Sequence, residues 1–100
     1  MIAVDAQALG KDWKCRVAVN RQGQHTEHSV TVSPDDLKRW GRGIAKEDVE
    51  DLVRRSFDFL LEREPQSSIL RTFDLSVIER YFPEYDRVIK EAWNVKQKPE

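Results

Sequence analysis

The sequence predicts an α+β domain in which an N-terminal antiparallel β-hairpin packs on a central amphipathic helix and several short helices follow. Two patterns support this prediction. Apolar and polar residues alternate strictly over residues 13–20 and again over residues 25–32, as in half-buried strands. Over residues 46–64 the apolar residues instead recur at spacings of three and four, which is typical of a helix. Because an isolated hairpin is marginally stable in water, we expect the helix to cover its apolar face.

Length and composition favour a single domain over residues 1–100. The chain is 39% hydrophobic and 35% charged, and its 17 basic and 18 acidic residues leave a net charge of -1. No overall field therefore directs it to nucleic acid or to an anionic membrane. Its lone cysteine, Cys15, has no partner for an internal disulfide, and neither a signal peptide nor a membrane-spanning run is present. We expect a cytoplasmic protein with no membrane contact.

The hairpin register follows from its apolar pattern. Pairing Cys15 with Val30 places both apolar faces on the same side, whereas a slip of one residue would set Val30 opposite Lys14. In the N-terminal segment, residues 1–12, Ile2 and Val4 indicate a short edge strand. A further strand beside the hairpin can therefore come from this segment or from a second subunit.

Helix boundaries are marked by capping residues and prolines. Ser33 and Pro34 begin a short helix that Gly41 ends, and the central helix, residues 46–64, closes before Pro65. Its apolar arc of roughly 200° is too wide for one neighbour, so we expect cover from two directions. After Pro65 we expect two short helices over residues 67–73 and 75–82, then a last helix beyond Pro83. Its apolar face has Tyr85, Val88, Ile89, Ala92 and Trp93, and residues 96–100 form a frayed tail.

No residue pattern indicates catalysis, a cofactor or a metal. His25 and His28 lie three apart on a strand and point to opposite faces, so they do not clasp one ion. Cys15 and His28 share a face, but no third group orients the histidine. The acids Asp51, Asp58 and Glu62 share a polar helix face, where pairs such as Glu50 with Arg54 and Asp51 with Arg55 explain the charges as helix support.

Binding residues are easier to nominate than catalytic ones. Exposed aromatic and arginine side chains suit a protein interface, and we nominate Trp40, Arg42, Tyr81 and Tyr85. The alternative for Trp40 is a place in the core, with Gly41 as a helix cap. The chain is thus expected to be a non-enzymatic interaction or regulatory module, self-associating as a homodimer through the hairpin edge.

A second functional class is a DNA-binding regulator. The two short helices over residues 67–82 are compatible with a helix-turn-helix, with Arg71, Arg80 and Tyr81 available to contact DNA. The turn lacks the usual glycine, and nearby acids, Glu79 among them, would repel phosphate. We therefore favour the reading in which these helices wrap the central helix.

The C-terminal half carries DFLLEREP followed by SILRTFDLSVIERYFPEYD. This wording and spacing, within residues 57–86, resembles a pattern found in small uncharacterised bacterial proteins. The resemblance implies a bacterial, cytoplasmic, stand-alone domain and implies no catalytic residue.

Overall fold

The computed structural model describes residues 1–97, with their side chains through residue 91. Strands and helices both contribute, so the predicted α+β class is confirmed. Among the described residues, every helix is too short or too polar to traverse a lipid bilayer. In chain order the elements are β1 (Ile2–Leu9), β2 (Asp12–Arg21), β3 (Gln24–Val32), α1 (Pro34–Trp40), α2 (Lys46–Leu61), a 3-10 turn (Gln66–Ser68), β4 (Thr72–Asp74), α3 (Val77–Tyr81) and α4 (Tyr85–Gln97).

The strands form one sheet in the order β1-β2-β3-β4. The predicted hairpin is β2 with β3, and its register is confirmed, with Cys15 opposite Val30. Its tight turn places Gln22 at φ 50° and Gly23 at φ 79°, the left-handed conformations of a type I′ turn. Both strands of the hairpin have a further neighbour, since β1 pairs with β2 and β4 pairs with residues 29–31 of β3. Self-association through the hairpin edge stays a prediction.

The N-terminal segment supplies the extra strand that the hairpin needs. The predicted edge strand is confirmed and is longer than expected, since β1 extends to Leu9. Its outer edge is partly closed by α2. The backbone N–H of Ala6 donates to Glu50 Oε2 at 2.9 Å, and Lys46 Nζ lies 3.4 Å from an Asp5 carboxylate oxygen. These charged side chains protect an edge that would otherwise invite pairing with another chain.

Helix α2 lies between the sheet and the remaining helices, as its wide apolar arc predicts. On one side the Phe57 ring lies 5.2 Å from the His28 ring and 6.1 Å from the Phe73 ring. On the other side Phe59 stacks edge-on against Tyr85 at 5.2 Å. The helix ends at Leu61, three residues before its expected end. Its buried residues are Val49, Leu52, Val53, Ser56, Phe57, Phe59 and Leu60.

The segment after Pro65 differs from the sequence prediction. The helix expected over residues 67–73 is absent. A 3-10 turn stands at its start, and β4 then pairs parallel to β3, with Phe73 opposite Val30. Helix α3 has only five residues. The segment over residues 67–82 is therefore not a helix-turn-helix, because pairing with the sheet satisfies the backbone that a first helix would have used.

The other helices follow their capping signals. Ser33 caps α1 by accepting from the Asp36 N–H, and Asp36 accepts from the Ser33 N–H in return. Helix α4 begins at Tyr85 and continues through Gln97, so it includes the first two residues of the expected tail. Of that tail, residues 98–100 lie outside the described residues, as do the side chains of Ala92 and Trp93.

Candidate interaction surface

An apolar groove lies where the end of α2, β4 and α3 meet. The groove is open to solvent and has a volume of about 320 Å³, at the lower end of the range for ligand pockets. Phe73 contributes from the sheet, Leu60 from α2 and Ile78 from α3, and all three are buried. The full lining comprises Leu60, Glu64, Ser68, Ile69, Leu70, Phe73, Val77, Ile78, Tyr81 and Phe82.

Two large side chains form the rim of this groove. Leu70 is 47% exposed and Tyr81 is 66% exposed, while the residues beneath them belong to the core. An exposed leucine alone needs no explanation, but here the two residues flank one apolar concavity. Contiguous apolar surface of this kind marks interaction sites.

Glu64 alone is charged among the groove residues in the described part of the chain. Burial beside the apolar wall raises the pKa of the Glu64 carboxyl above its usual value. The acid follows the end of α2, whose C-terminal carbonyls do not stabilise an anion. This end of the groove therefore becomes less polar as the pH falls.

A buried hydrogen-bond chain fixes the segment that carries the rim residue Leu70. The side-chain amide of Gln66 donates to Val19 O at 2.8 Å and to Thr26 Oγ1 at 3.0 Å. His28 Nδ1 donates to Leu70 O at 2.7 Å, and in the neutral ring the Thr26 hydroxyl donates to Nε2 at 2.9 Å. The hairpin thus holds the chain between α2 and β4 through hydrogen bonds that involve the buried side chains of Gln66 and His28 and the half-buried side chain of Thr26.

The structure separates the four residues nominated for a protein interface. Tyr81 is exposed at the groove rim, as expected. Trp40 and Tyr85 are buried, so the expectation that they are exposed contacts is wrong, and the alternative core position of Trp40 is confirmed. Gly41 is the C-cap of α1, as that alternative also required. Arg42 is half-buried beside Asp51, with Nη1 at 3.7 Å from the carboxylate.

Trp40 and Tyr85 contact each other in the core, and each also makes a hydrogen bond to another residue. Their rings meet edge-on at 5.0 Å. Trp40 Nε1 donates to Asp86 Oδ1 at 2.8 Å, and Tyr85 shares a 2.7 Å hydrogen bond with Ser56 Oγ. The Trp40 hydrogen bond is the largest cause that holds the pKa of Asp86 below its usual range. The ring contact and the two hydrogen bonds therefore stabilise the fold at the junction of α1, α2 and α4.

The residues nominated for DNA contact, Arg71, Arg80 and Tyr81, are all exposed. They do not share one recognition helix, since Arg71 precedes β4 and the other two lie on α3. DNA binding itself stays a prediction, without the helix-turn-helix geometry that motivated it.

The other candidate constellations have structural roles. His28 is buried and His25 is exposed, which confirms that they point to opposite faces of β3. Burial raises the pKa of the Cys15 thiol to about 12, so it is not a thiolate at neutral pH. Among the described residues, no three histidine, cysteine or acidic side chains are grouped to hold a metal ion.

The predicted support pairs on α2 are half right. Asp51 accepts from Arg55 Nε at 3.0 Å, as predicted. Glu50 instead accepts from the Ala6 N–H and lies 3.7 Å from Lys46, so its predicted pairing with Arg54 is wrong. Sequence reasoning also missed Gln66 and β4, which no local pattern signals.

No protein-family model matches the chain, and comparisons with curated proteins and with solved structures gave no significant match.

Proposed function

We propose that the chain is a non-enzymatic interaction module that self-associates through the apolar groove and its rim. The supporting observation is that Leu70 and Tyr81 expose about half or more of their area beside an open cavity with a largely apolar lining. Burying such side chains against another molecule removes apolar area from water at roughly 25 cal/mol per Å². Protruding aromatic residues next to a cavity are also the usual centre of a protein interface.

A second copy suits this surface because the protrusion and the cavity lie side by side on one chain. In a two-fold dimer the same patch meets itself, so each rim can contact the groove of the other copy. The net charge of -1 adds little long-range repulsion between copies. Self-association of this kind suits a regulatory module, and we infer a bacterial cytoplasmic location from the resemblance within residues 57–86.

Sedimentation velocity from low micromolar to near millimolar concentration tests the proposal. We expect a concentration-dependent dimer, and we expect the double substitution Leu70→Ser with Tyr81→Ser to raise its dissociation constant at least ~10-fold. Ile44→Ser is the matched control, because Ile44 is 81% exposed in the loop before α2, away from the groove lining. A strictly monomeric wild type, or equal weakening by the control, contradicts the proposal.

A further inference from the structure

The β4 strand presents backbone hydrogen-bonding groups to solvent. Arg71 O accepts from the Ser29 N–H at 2.7 Å, and the Leu75 N–H donates to Thr31 O at 2.9 Å. Backbone N–H and C=O groups alternate in direction along a strand. The backbone groups of Phe73 therefore also bond to β3, whereas the backbone groups of Thr72 and Asp74 point away from the sheet. Both residues are exposed, and in the described part of the chain no hydrogen bond to these outward groups is present.

The two edges of the sheet are therefore unequal. At the β1 edge, Glu50 takes up the Ala6 N–H and Lys46 contributes a charge. Among the residues with described side chains, none bonds to the outward backbone groups of β4 in this way, and Phe73 connects this edge directly to the groove that it lines. An unprotected edge beside an apolar groove is suited to strand addition, in which backbone bonds and side-chain pockets act together.

We propose that two copies of the chain pair β4 with β4 in antiparallel fashion, about a two-fold axis at Phe73. This inference rests on the proposed self-association and specifies how it occurs. Each Thr72 then lies opposite Asp74 of the second copy, and the two residues exchange both backbone hydrogen bonds. The pairing joins two four-stranded sheets into one continuous sheet.

Side-chain chemistry favours this register over its neighbours. With Phe73 at the axis, the Thr72 hydroxyl can donate to the Asp74 carboxylate across the strands. A shift that centres the axis on Asp74 would place two carboxylates directly opposite each other, which is destabilising. Favourable cross-strand pairs and the avoided repulsion thus select the same arrangement.

The short strand explains why the groove is needed. The three residues of β4 can form only a few intermolecular hydrogen bonds and bury little surface. That is less contact than a stable interface of standard size has. Near the same axis, Leu70 and Tyr81 of each copy supply the remaining apolar contact against the groove of the other. Strand pairing then sets the geometry, and the rim residues supply most of the affinity.

Thr72→Pro tests the pairing directly. It removes an outward N–H that the chain's own ladder does not use, so β4 keeps its bonds to β3. Losing two intermolecular hydrogen bonds is expected to raise the dimer dissociation constant roughly 10- to 100-fold. Thr72→Ser keeps both the N–H and the hydroxyl, and Ala8→Pro makes the same change on the opposite edge of the sheet. Both controls are expected to dimerise like the wild type.

Hydrogen exchange supplies a measurement that does not depend on how the proline variant folds. In the wild type we expect the amides of Thr72 and Asp74 to become protected as concentration rises through the dimerisation range, while the Ala8 amide does not. A dimer that leaves both amides unprotected, or that Thr72→Pro does not weaken, overturns β4 pairing alone. A wild type that stays monomeric overturns the proposed self-association and this inference with it.

Discussion

Replacing Trp40 with Phe tests whether this residue, nominated as a surface contact, stabilises the core. The side chain is only 2% exposed, and its N–H donates to Asp86 at 2.8 Å. Phe keeps an aromatic ring against Tyr85 but removes the donor and part of the buried volume. The substitution therefore separates a core role from a binding role, since a surface residue would tolerate it.

The expected cost has two parts. A hydrogen bond to a charged group contributes roughly 1.5 to 3 kcal/mol when buried. The Asp86 side chain is 33% exposed, so solvent screening reduces this bond to about 1 to 2 kcal/mol. The smaller ring leaves a partly filled cavity, which brings the total to about 2 to 4 kcal/mol.

Urea denaturation of the wild type, Trp40→Phe, Asp86→Ala and the double variant at neutral pH isolates the hydrogen bond. We expect a coupling energy of about 1 to 2 kcal/mol, and a value within the roughly 0.5 kcal/mol scatter of independent sites would refute it. The folded-state pKa of Asp86 lies below its ordinary 3.8, so the bond stabilises the protein above that pH. The coupling should therefore fall as the pH drops through the folded pKa.

Two further predictions concern the hairpin. Gln22→Asn should raise the free energy of unfolding by up to about 1 kcal/mol, because asparagine adopts the observed positive φ more easily than glutamine. Gln24→Asn, at the first residue of β3, is the control. Equal changes in melting temperature for the two variants would contradict the prediction. Cys15 is fully buried with a pKa raised to about 12, so iodoacetamide should label it only as the protein unfolds. Mass spectrometry can follow the rate of labelling in native buffer and in concentrated urea. Equal rates in the two conditions would contradict that expectation.

Elements with a strong local period were predictable from the sequence. Alternation in β2 and β3 determined both the strands and their register, because a one-residue slip would bury Lys14. Capping at Ser33 located the start of α1, and the wide apolar arc of α2 correctly required neighbours on two sides. Each of these signals lies within a short stretch of chain, where local sequence and final structure agree.

The errors arise where distant residues decide the structure. Three residues are too few to show a strand period, and β4 exists because β3 offers a parallel partner some 40 positions earlier. Glu50 sits at the right spacing to pair with Arg54, yet its carboxylate instead accepts a hydrogen bond from the Ala6 N–H, which lies on another element and is not used within the sheet. Aromatic type alone did not reveal that Trp40 and Tyr85 are buried while Tyr81 is exposed.

The groove was not predictable for the same reason. Its walls come from α2, β4 and α3, and the position of Leu70 depends on hydrogen bonds from Gln66 and His28 to groups far away in the chain. No spacing within residues 64–82 indicates which apolar residues meet the core and which form the rim. Only the assembled fold distinguishes Ile78 from Tyr81, three positions apart on one short helix.

The parallel pairing of β4 with β3 has a consequence for the order of folding. Strands β1 to β3 join through tight turns, whereas β4 reaches its partner only after residues 33–71 have been arranged, at a larger loop-closure cost. We therefore expect β4 to dock last and to open first. If a second copy binds this strand, association completes the sheet, and the melting temperature should rise with protein concentration.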